Sequence, residues 1–354
     1  MPWPKTLTVF LLGASAVVAS LHLASAQTSG AQPLLVHQKK YVMGSVFEIA
    51  AYGDSQTRVS DAIDLAFAEI VRLDAVMSDY KTDSDLSRLN HSSHSSPETI
   101  PSDLYRVIDE ALRYSRLSGG KFDVTVAPLV NLRKAAIRTG HAPSSEDEEK
   151  ARACVGYQKM ELLPPDRIQF HSPCVQIDLG GIGKGYALDR AADVLRTRGI
   201  TRALLDAGGS TIVAMGAPPG QSGWLVHLRD PSYKVDPHVT LSGGSVSTSE
   251  QTPPSLISPE RAGHIVDPDK GVPAEAHFAV SAVAENGTAS DALSTTLLLL
   301  GPEKGKELIA RNVPGGAAIW VYPDGQVQMA SSGPQILLGA GAAVAVQPNS
   351  GGLH

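Results

Sequence analysis

The chain reads as an α/β (α+β) protein, on three observations. Residues Gln176–Ser210, QIDLGGIGKGYALDRAADVLRTRGITRALLDAGGS, carry a strand-like stretch, a glycine-rich loop, an amphipathic helix and a second strand in direct succession. Two further segments, Ser60–Met77 and Ser102–Ser118, repeat apolar residues at helical spacing. Between and after them stand short β-branched runs separated by Gly, Pro and Asp-Gly turn signals. Alternation of this kind fits a mixed α/β chain without naming its topology.

Length and composition bound the function. With 354 residues, 42% of them hydrophobic, the chain can bury one large core or two ordinary ones. A formal charge of −6 and the lack of any basic run argue against a nucleic-acid partner. At the start, Lys5, the apolar run Leu7–Leu23 and Ala24-Ser25-Ala26 form the three parts of a signal peptide over residues 1–26. No cysteine lies there, so the expected product is a Sec-exported periplasmic protein and not a lipoprotein, with no transmembrane segment once the signal is removed. A linker over 27–37, a folded domain over 38–346 and a disordered tail over 347–354 complete the expected organisation. The two cysteines, Cys154 and Cys174, could pair in an oxidising compartment or stay free, and sequence leaves both open.

Taken in order, Val36–Tyr52 predicts one or two strands, with Met43-Gly44-Ser45 at a bend. In Ser60–Met77 the helical face is Ala62, Leu65, Ala66, Ile70, Leu73 and Val76. His91–Pro97 reads as a solvated polar loop, since its two histidines have no third ligand nearby. Ser102–Ser118 is a second helix stopped by Gly119-Gly120, and Arg138–Arg152 a loop and surface helix. Strands are expected over Ile168–Leu179, with Val175–Leu179 feeding the glycine loop. The next helix shows Ala187, Ala191, Val194 and Leu195 on one face and ends at Gly199. Ala203–Leu205, Thr211–Gly216 and Trp224–Leu228 follow as strands, then Val239–Thr248 as a strand pair turning at Gly243-Gly244. Val280–Ala284 is a strand, Ser290–Leu300 a helix, and Ile319–Tyr322 with Val327–Met329 a hairpin around Asp324-Gly325. The apolar run Ile336–Val346 is too short to span a bilayer.

Bare amides at a helix N-terminus favour phosphate. The loop with glycines at 180, 181, 183 and 185 is neither familiar kind, however. A Walker A loop ending at Gly183-Lys184 would need glycine where Asp178 stands and Ser or Thr where Gly185 stands, and the dinucleotide fingerprint lacks its third glycine. Farther on, Asp291 and Thr295 lie four residues apart, which puts a carboxylate and a hydroxyl on one helix face. Such oxygens suit a hard cation like Mg2+, although a carboxylate in a first helical turn also satisfies the dipole by itself.

The segment DLGGIGKGYALD resembles the DLGGIAKGYAxD signature of the ApbE family, the FAD:protein FMN transferases, and four further segments resemble that family in its order. Met77–Asn90, MSDYKTDSDLSRLN, is similar to MSxYxxxSxLSxLN; Gly119–Arg133 to GxFDxTVxPLvxLW; Gly263–Gly271 to HIxDPxTG; Ser290–Leu300 to ADALSTAxxxLG. The resemblance covers roughly Val42 to Gly301. It implies an α/β fold of two subdomains around a flavin and Mg2+ site. It also implies transfer of FMN from FAD to a threonine of an acceptor protein with release of AMP.

Residue by residue, the resemblance implies flavin-nucleotide contacts at Met43, Tyr80, Lys121, Phe122, Asp123, Asp178, Lys184, Asp206, Thr248 and Ile265. Tyr80, by itself a boundary aromatic, would stack on a flavin or adenine ring. Mg2+ would take Asp291, Thr295 and the backbone carbonyl of Gly181. His264 is the candidate proton acceptor, its alternative being a hydrogen bond that holds the Asp267-Pro268 turn. The expected partner is a periplasmic acceptor flavoprotein domain of a redox complex. The chain departs from the family at Arg133, Ser210 and Glu250, where tryptophan, aspartate and glycine are usual. Two alternatives therefore stand beside the transferase: an FAD pyrophosphatase giving AMP and FMN, and a non-catalytic flavin-binding accessory protein of a periplasmic respiratory system.

Overall fold

The computed structural model describes residues 33–92, 94–251 and 264–339. The expected signal peptide over 1–26 and the expected tail over 347–354 lie outside these residues.

The first two strands, β1 (Leu34–Val42) and β2 (Ser45–Gly53), form a hairpin joined by Met43 and Gly44. Both turn residues have positive φ, 51° and 70°, the backbone of a two-residue turn whose twist matches its strands. The expected linker over 27–37 therefore ends early, since Leu34–His37 already pair with β2. Helix α1 (Gln56–Met77) starts at a Ser55 N-cap and turns Val59, Ile63, Phe67, Ile70 and Leu73 inward. After α2 (Asp85–Asn90) and the short β3 (Glu98–Thr99), α3 (Ser102–Leu117) ends before Gly119 and Gly120, both at positive φ. A 3-10 turn (Val124–Val126) leads into α4 (Ala127–Thr139) and then α5 (Ser145–Cys154). Strands β4 (Met160–Leu163) and β5 (Arg167–Phe170) pair with β3 in a small sheet.

Val175–Leu179, expected as a strand, is an extended segment outside every sheet. Its backbone groups are satisfied elsewhere: Asn90 brackets Ile177 through both its amide oxygen and nitrogen, at 2.8 Å each, and the Asp178 N–H donates to Val124 O at 2.7 Å. The glycine loop is thus fed by a tethered coil, and α6 (Gly183–Thr197) and β6 (Arg202–Ala207) follow.

Next come β7 (Thr211–Met215), β8 (Trp224–His227), β9 (His238–Leu241) and β10 (Gly243–Glu250). β9 and β10 are not the expected strand pair, because β9 pairs with β8 in a separate ribbon while β10 enters the main sheet. A two-residue-strand hairpin, β11 (Val266–Asp267) and β12 (Val272–Pro273), precedes β13 (Ala279–Ala284). Helix α7 (Gly287–Asn312) is interrupted at Gly301, where φ is 74° ahead of Pro302, and β14 (Ala317–Val321) with β15 (Val327–Ser331) closes the chain.

The main sheet has the order β1-β2-β6-β7-β10-β13-β14-β15, every pair antiparallel. One core, running from Phe47 and Ile49 through α1, α6 and α7 to Ile168 and Phe170 of the small sheet, joins the two layers. The opposite face of the sheet packs Val246, Val283, Ile319 and Val321 against Trp224, Val226 and Val239 of the β8–β9 ribbon. Coverage on both faces explains why β13 and β14 are buried at every residue. Cys154 and Cys174 form a disulfide, which fastens the end of α5 to the chain just ahead of the tethered coil. No helix among the described residues is long and apolar enough to cross a membrane.

Candidate active site

Two helix N-termini, those of α6 and α7, meet at the site and are tied to each other. Asp189 of α6 accepts hydrogen bonds from Gly287 N–H (2.7 Å), Thr288 N–H (2.8 Å) and the Thr288 hydroxyl. In return Asp291 Oδ2 of α7 accepts from Gly185 N–H at 2.9 Å. The crossing is close because residue 185 has no side chain: a Cβ there would stand 2.0 Å from Gly287 O. The pattern satisfies amides that both helices would otherwise leave orphaned.

Beside this junction opens a cavity of about 450 Å³, within the usual range for a small-molecule site. Its wall includes Tyr80, Lys121, Phe122, Asp123, Asp178, Gly181, Lys184, Thr248, His264, Ile265, Asp291 and Thr295. Positions drawn from six separate segments of sequence therefore converge on one space. Two others do not reach its wall. Met43 sits in the β1–β2 turn with its methyl directed at the α6 N-terminus, 3.9 Å from where a Cβ on Gly183 would lie. Asp206 points into the following turn, where it accepts the Gly209 N–H at 2.6 Å; Gly208, Gly209 and Ser210 line the cavity instead.

Asp291 is buried at 5% exposure. Burial pushes its pKa up, against the nearby Lys184 charge and hydrogen bonds from Gly185, Thr211 and Ser247. Thr295 Oγ1 lies 3.3 Å from Ser249 Oγ, and a Cβ on Gly181 would stand 3.3 Å from that same hydroxyl. The glycine loop and the Asp291–Thr295 face are thus in contact. A buried carboxylate, a hydroxyl and a bare loop backbone at one point make an all-oxygen donor set, and this fits a hard divalent cation.

Several expected nucleotide contacts have defined internal partners. Asp123 accepts from Thr125 N–H and Oγ1 and from Tyr157 N–H, so its carboxylate braces the loop behind Phe122. Lys121 bonds Asp267 at 2.9 and 3.0 Å and Asp269 at 2.8 Å; burial pulls its pKa down, but these carboxylates prevail and hold it high. The Asp267 turn is therefore held by Lys121 and by the amides of Asp269 and Lys270. Ile265 is pinned through its backbone by the Gln251 side chain, which leaves His264 exposed at the cavity rim. Lys184 donates to Ser210 Oγ, so the serine found in place of the family's aspartate keeps a contact to this lysine. Glu250 accepts from Arg229 Nε at 2.8 Å, and both line the cavity. Thr248 shares a 2.7 Å hydroxyl bond with Ser281.

Asp79, Lys134, Arg229 and Asp189 escaped the sequence reading. Asp79 and Asp189 lie inside segments that resemble the family, but no local pattern assigns them a partner, whereas Lys134 stands one residue past Gly119–Arg133 and Arg229 follows a strand with no motif. His94 also differs from expectation. It is buried, stacks on Phe170 with ring centroids 4.0 Å apart, and bonds Leu89 O at 2.9 Å, so it belongs to the core and not to a solvated loop.

The profile of the ApbE family matches residues 43–320. The FAD:protein FMN transferase of Salmonella typhimurium is 27% identical over 310 residues, covering 85% of this chain and 88% of that protein. Its counterpart in Escherichia coli K12 is 29% identical over 289 residues, 79% of this chain and 81% of the other. Among solved structures, flavin transferase ApbE from Vibrio cholerae superposes with a TM-score of 0.72 at 27% identity, covering 85% of this chain and 98% of that one. The apo form of the Pseudomonas stutzeri flavinyl transferase ApbE gives 0.72 at 30% identity, over 85% and 95%.

Proposed function

This chain belongs to the ApbE family, and from that premise we propose that it is an FAD:protein FMN transferase acting with Mg2+ on a threonine of a periplasmic acceptor domain. The observation that carries this reading is the convergence of Gly181, Asp291 and Thr295 at the α6–α7 junction, inside a cavity that also presents Tyr80, Phe122 and His264.

Mg2+ would be held by the Asp291 carboxylate, the Thr295 hydroxyl and the Gly181 carbonyl, and when bound it would offset pyrophosphate charge and stabilise the departing AMP. The chain's own groups do the rest. Tyr80 and Phe122 supply flat apolar surface for ring stacking. Lys184, beside Asp291, places a positive charge near the phosphates. His264, at the open rim, takes the threonine hydroxyl proton as the Thr Oγ–P bond forms, the P–O bond to AMP breaks, and AMP leaves with the electron pair. FMN remains on the acceptor as a phosphoester.

The periplasmic part of the proposal draws support from the signal-like residues 1–26 and from the Cys154–Cys174 disulfide, a bond that persists in oxidising compartments. The test is incubation with FAD, Mg2+ and a threonine-bearing acceptor domain. Acceptor labelling with AMP release is the expected result, and AMP formation at an undiminished rate with no labelling of any acceptor would convert the assignment to a pyrophosphatase.

A further inference from the structure

We propose that Lys134 is a substrate-positioning residue of the cavity: it offsets one of the two negative charges on a wall formed by Asp79 and Asp178 and backs the ring of Tyr80, so that an anionic flavin nucleotide can stack on the ring's other face. The proposal rests on reading the cavity as the FAD site. Lys134 projects from α4 into the cavity lining, half-buried, with Nζ 3.1 Å from Asp79 Oδ2 and 4.6 Å from the centroid of Tyr80. Asp178 faces it from the glycine loop, and Asp79 and Tyr80 come from the segment after α1. Four groups from three segments thus make one patch.

Two arguments give the lysine this role. The first is charge. Asp79 and Asp178 share one wall, close enough that each carboxylate is felt by the other, and without a cation between them they would repel a pyrophosphate. Of the other cavity cations, Lys121 is paired with Asp267 and Asp269 and Arg229 with Glu250, while Lys184 serves the Asp291 end of the site. Burial would discharge Lys134, but the Asp79 and Asp178 charges outweigh it and hold its pKa above the ordinary value. The second argument is geometry. Tyr80 is 78% exposed, so little packing fixes its ring; the ammonium covers one face and leaves the opposite face to a ligand.

The test compares neutral and anionic ligands. Riboflavin, FMN and FAD are titrated by flavin fluorescence against the full mature protein at fixed Mg2+, as wild type, Lys134→Met, Lys134→Arg and the double variant Lys134→Met/Asp79→Asn. Lys134→Met is expected to weaken FAD about tenfold, the factor a single ionic contact supplies, and riboflavin by no more than about threefold. Lys134→Arg should stay near wild type. Removing Asp79 as well should restore most of the FAD affinity, because the wall regains its original net charge. An unaltered FAD affinity in Lys134→Met, or equal losses for riboflavin and FAD with no rescue by Asp79→Asn, would overturn the role of Lys134 while leaving the site intact. A wild-type protein that binds no flavin nucleotide would overturn the reading of the cavity itself.

Discussion

Asp189→Ala removes the acceptor for three donors at the start of α7: Gly287 N–H, Thr288 N–H and the Thr288 hydroxyl. Gly287 and Thr288 are buried, so water does not readily replace the lost oxygens. Leaving each buried amide unpaired costs about 1–3 kcal/mol. Against this, burial pushes the Asp189 pKa up despite the bonds from Thr288 and Gly287, so the wild-type carboxylate carries a desolvation cost that the variant escapes. The balance is a destabilisation of about 3 kcal/mol, the scale of a lost helix cap plus a buried hydrogen bond. The effect should reach the site. Asp291 stands one turn beyond Thr288 on α7, and its bond to Gly185 depends on the same crossing. Urea unfolding should give the stability loss, and a Mg2+ titration of AMP release should move to higher metal concentration. A variant within about 0.5 kcal/mol of wild type, with an unshifted Mg2+ titration, would refute the reciprocal lock between α6 and α7.

Five further outcomes are expected. Gly185→Ala sets a Cβ 2.0 Å from Gly287 O, so the helices must part, and a loss of about 3 kcal/mol or more should be seen in thermal or urea melts. Asp230 accepts from Ser232, Val235 and Asp236, and despite the opposing effect of burial its pKa is held down at about 2. Because the folded value lies below the ordinary 3.8, its stabilisation is present above that pH and is lost as pH falls through about 2; Asp230→Ala should cost about 1 kcal/mol at pH 7, after discounting for solvent, and progressively less as pH falls below 3.8, with only part of that cost left at pH 2. Replacing Cys154 and Cys174 by serine opens a loop of sequence separation 20 and should cost about 3 kcal/mol in urea, with reduction of the wild type giving the same loss. Asp291→Ala should abolish Mg2+-dependent turnover with the fold retained, and His264→Ala should slow transfer while sparing FAD binding; a collapse of binding in the latter would make the imidazole structural.

The helices were legible because their apolar residues repeat and their ends carry signals: α1, α3 and α6 lie close to their expected spans, α3 stopping ahead of Gly119 and α6 ahead of Gly199. Local pattern could not decide what Val175–Leu179 pairs with. A strand and a coil clamped by Asn90 share the same extended, apolar sequence, and the partner lies 87 residues away. The same limit hid the separation of β9 from β10: Gly243-Gly244 reads as a turn, yet both residues pair with β7 inside β10 and the bend falls at Ser242. In the site, the four-residue spacing of Asp291 and Thr295 showed only that a carboxylate and a hydroxyl share one helix face; their role as metal ligands came from the family resemblance. Lys134, Arg229 and the two-way bonding of Asp189 were not legible, because each acquires its meaning from a residue on a distant segment. Asp123 teaches the converse: a carboxylate inside a recognised motif spends its hydrogen bonds holding its own loop.

The most direct test of the transferase assignment is intact-mass analysis of an acceptor domain after incubation with the mature protein, FAD and Mg2+, with AMP followed in parallel. The expected result is an acceptor mass increase equal to FMN, matched mole for mole by AMP, and neither signal with Asp291→Ala. FAD that stays bound and intact, with no AMP and no labelled acceptor across a panel of threonine-bearing flavoprotein domains, would contradict it.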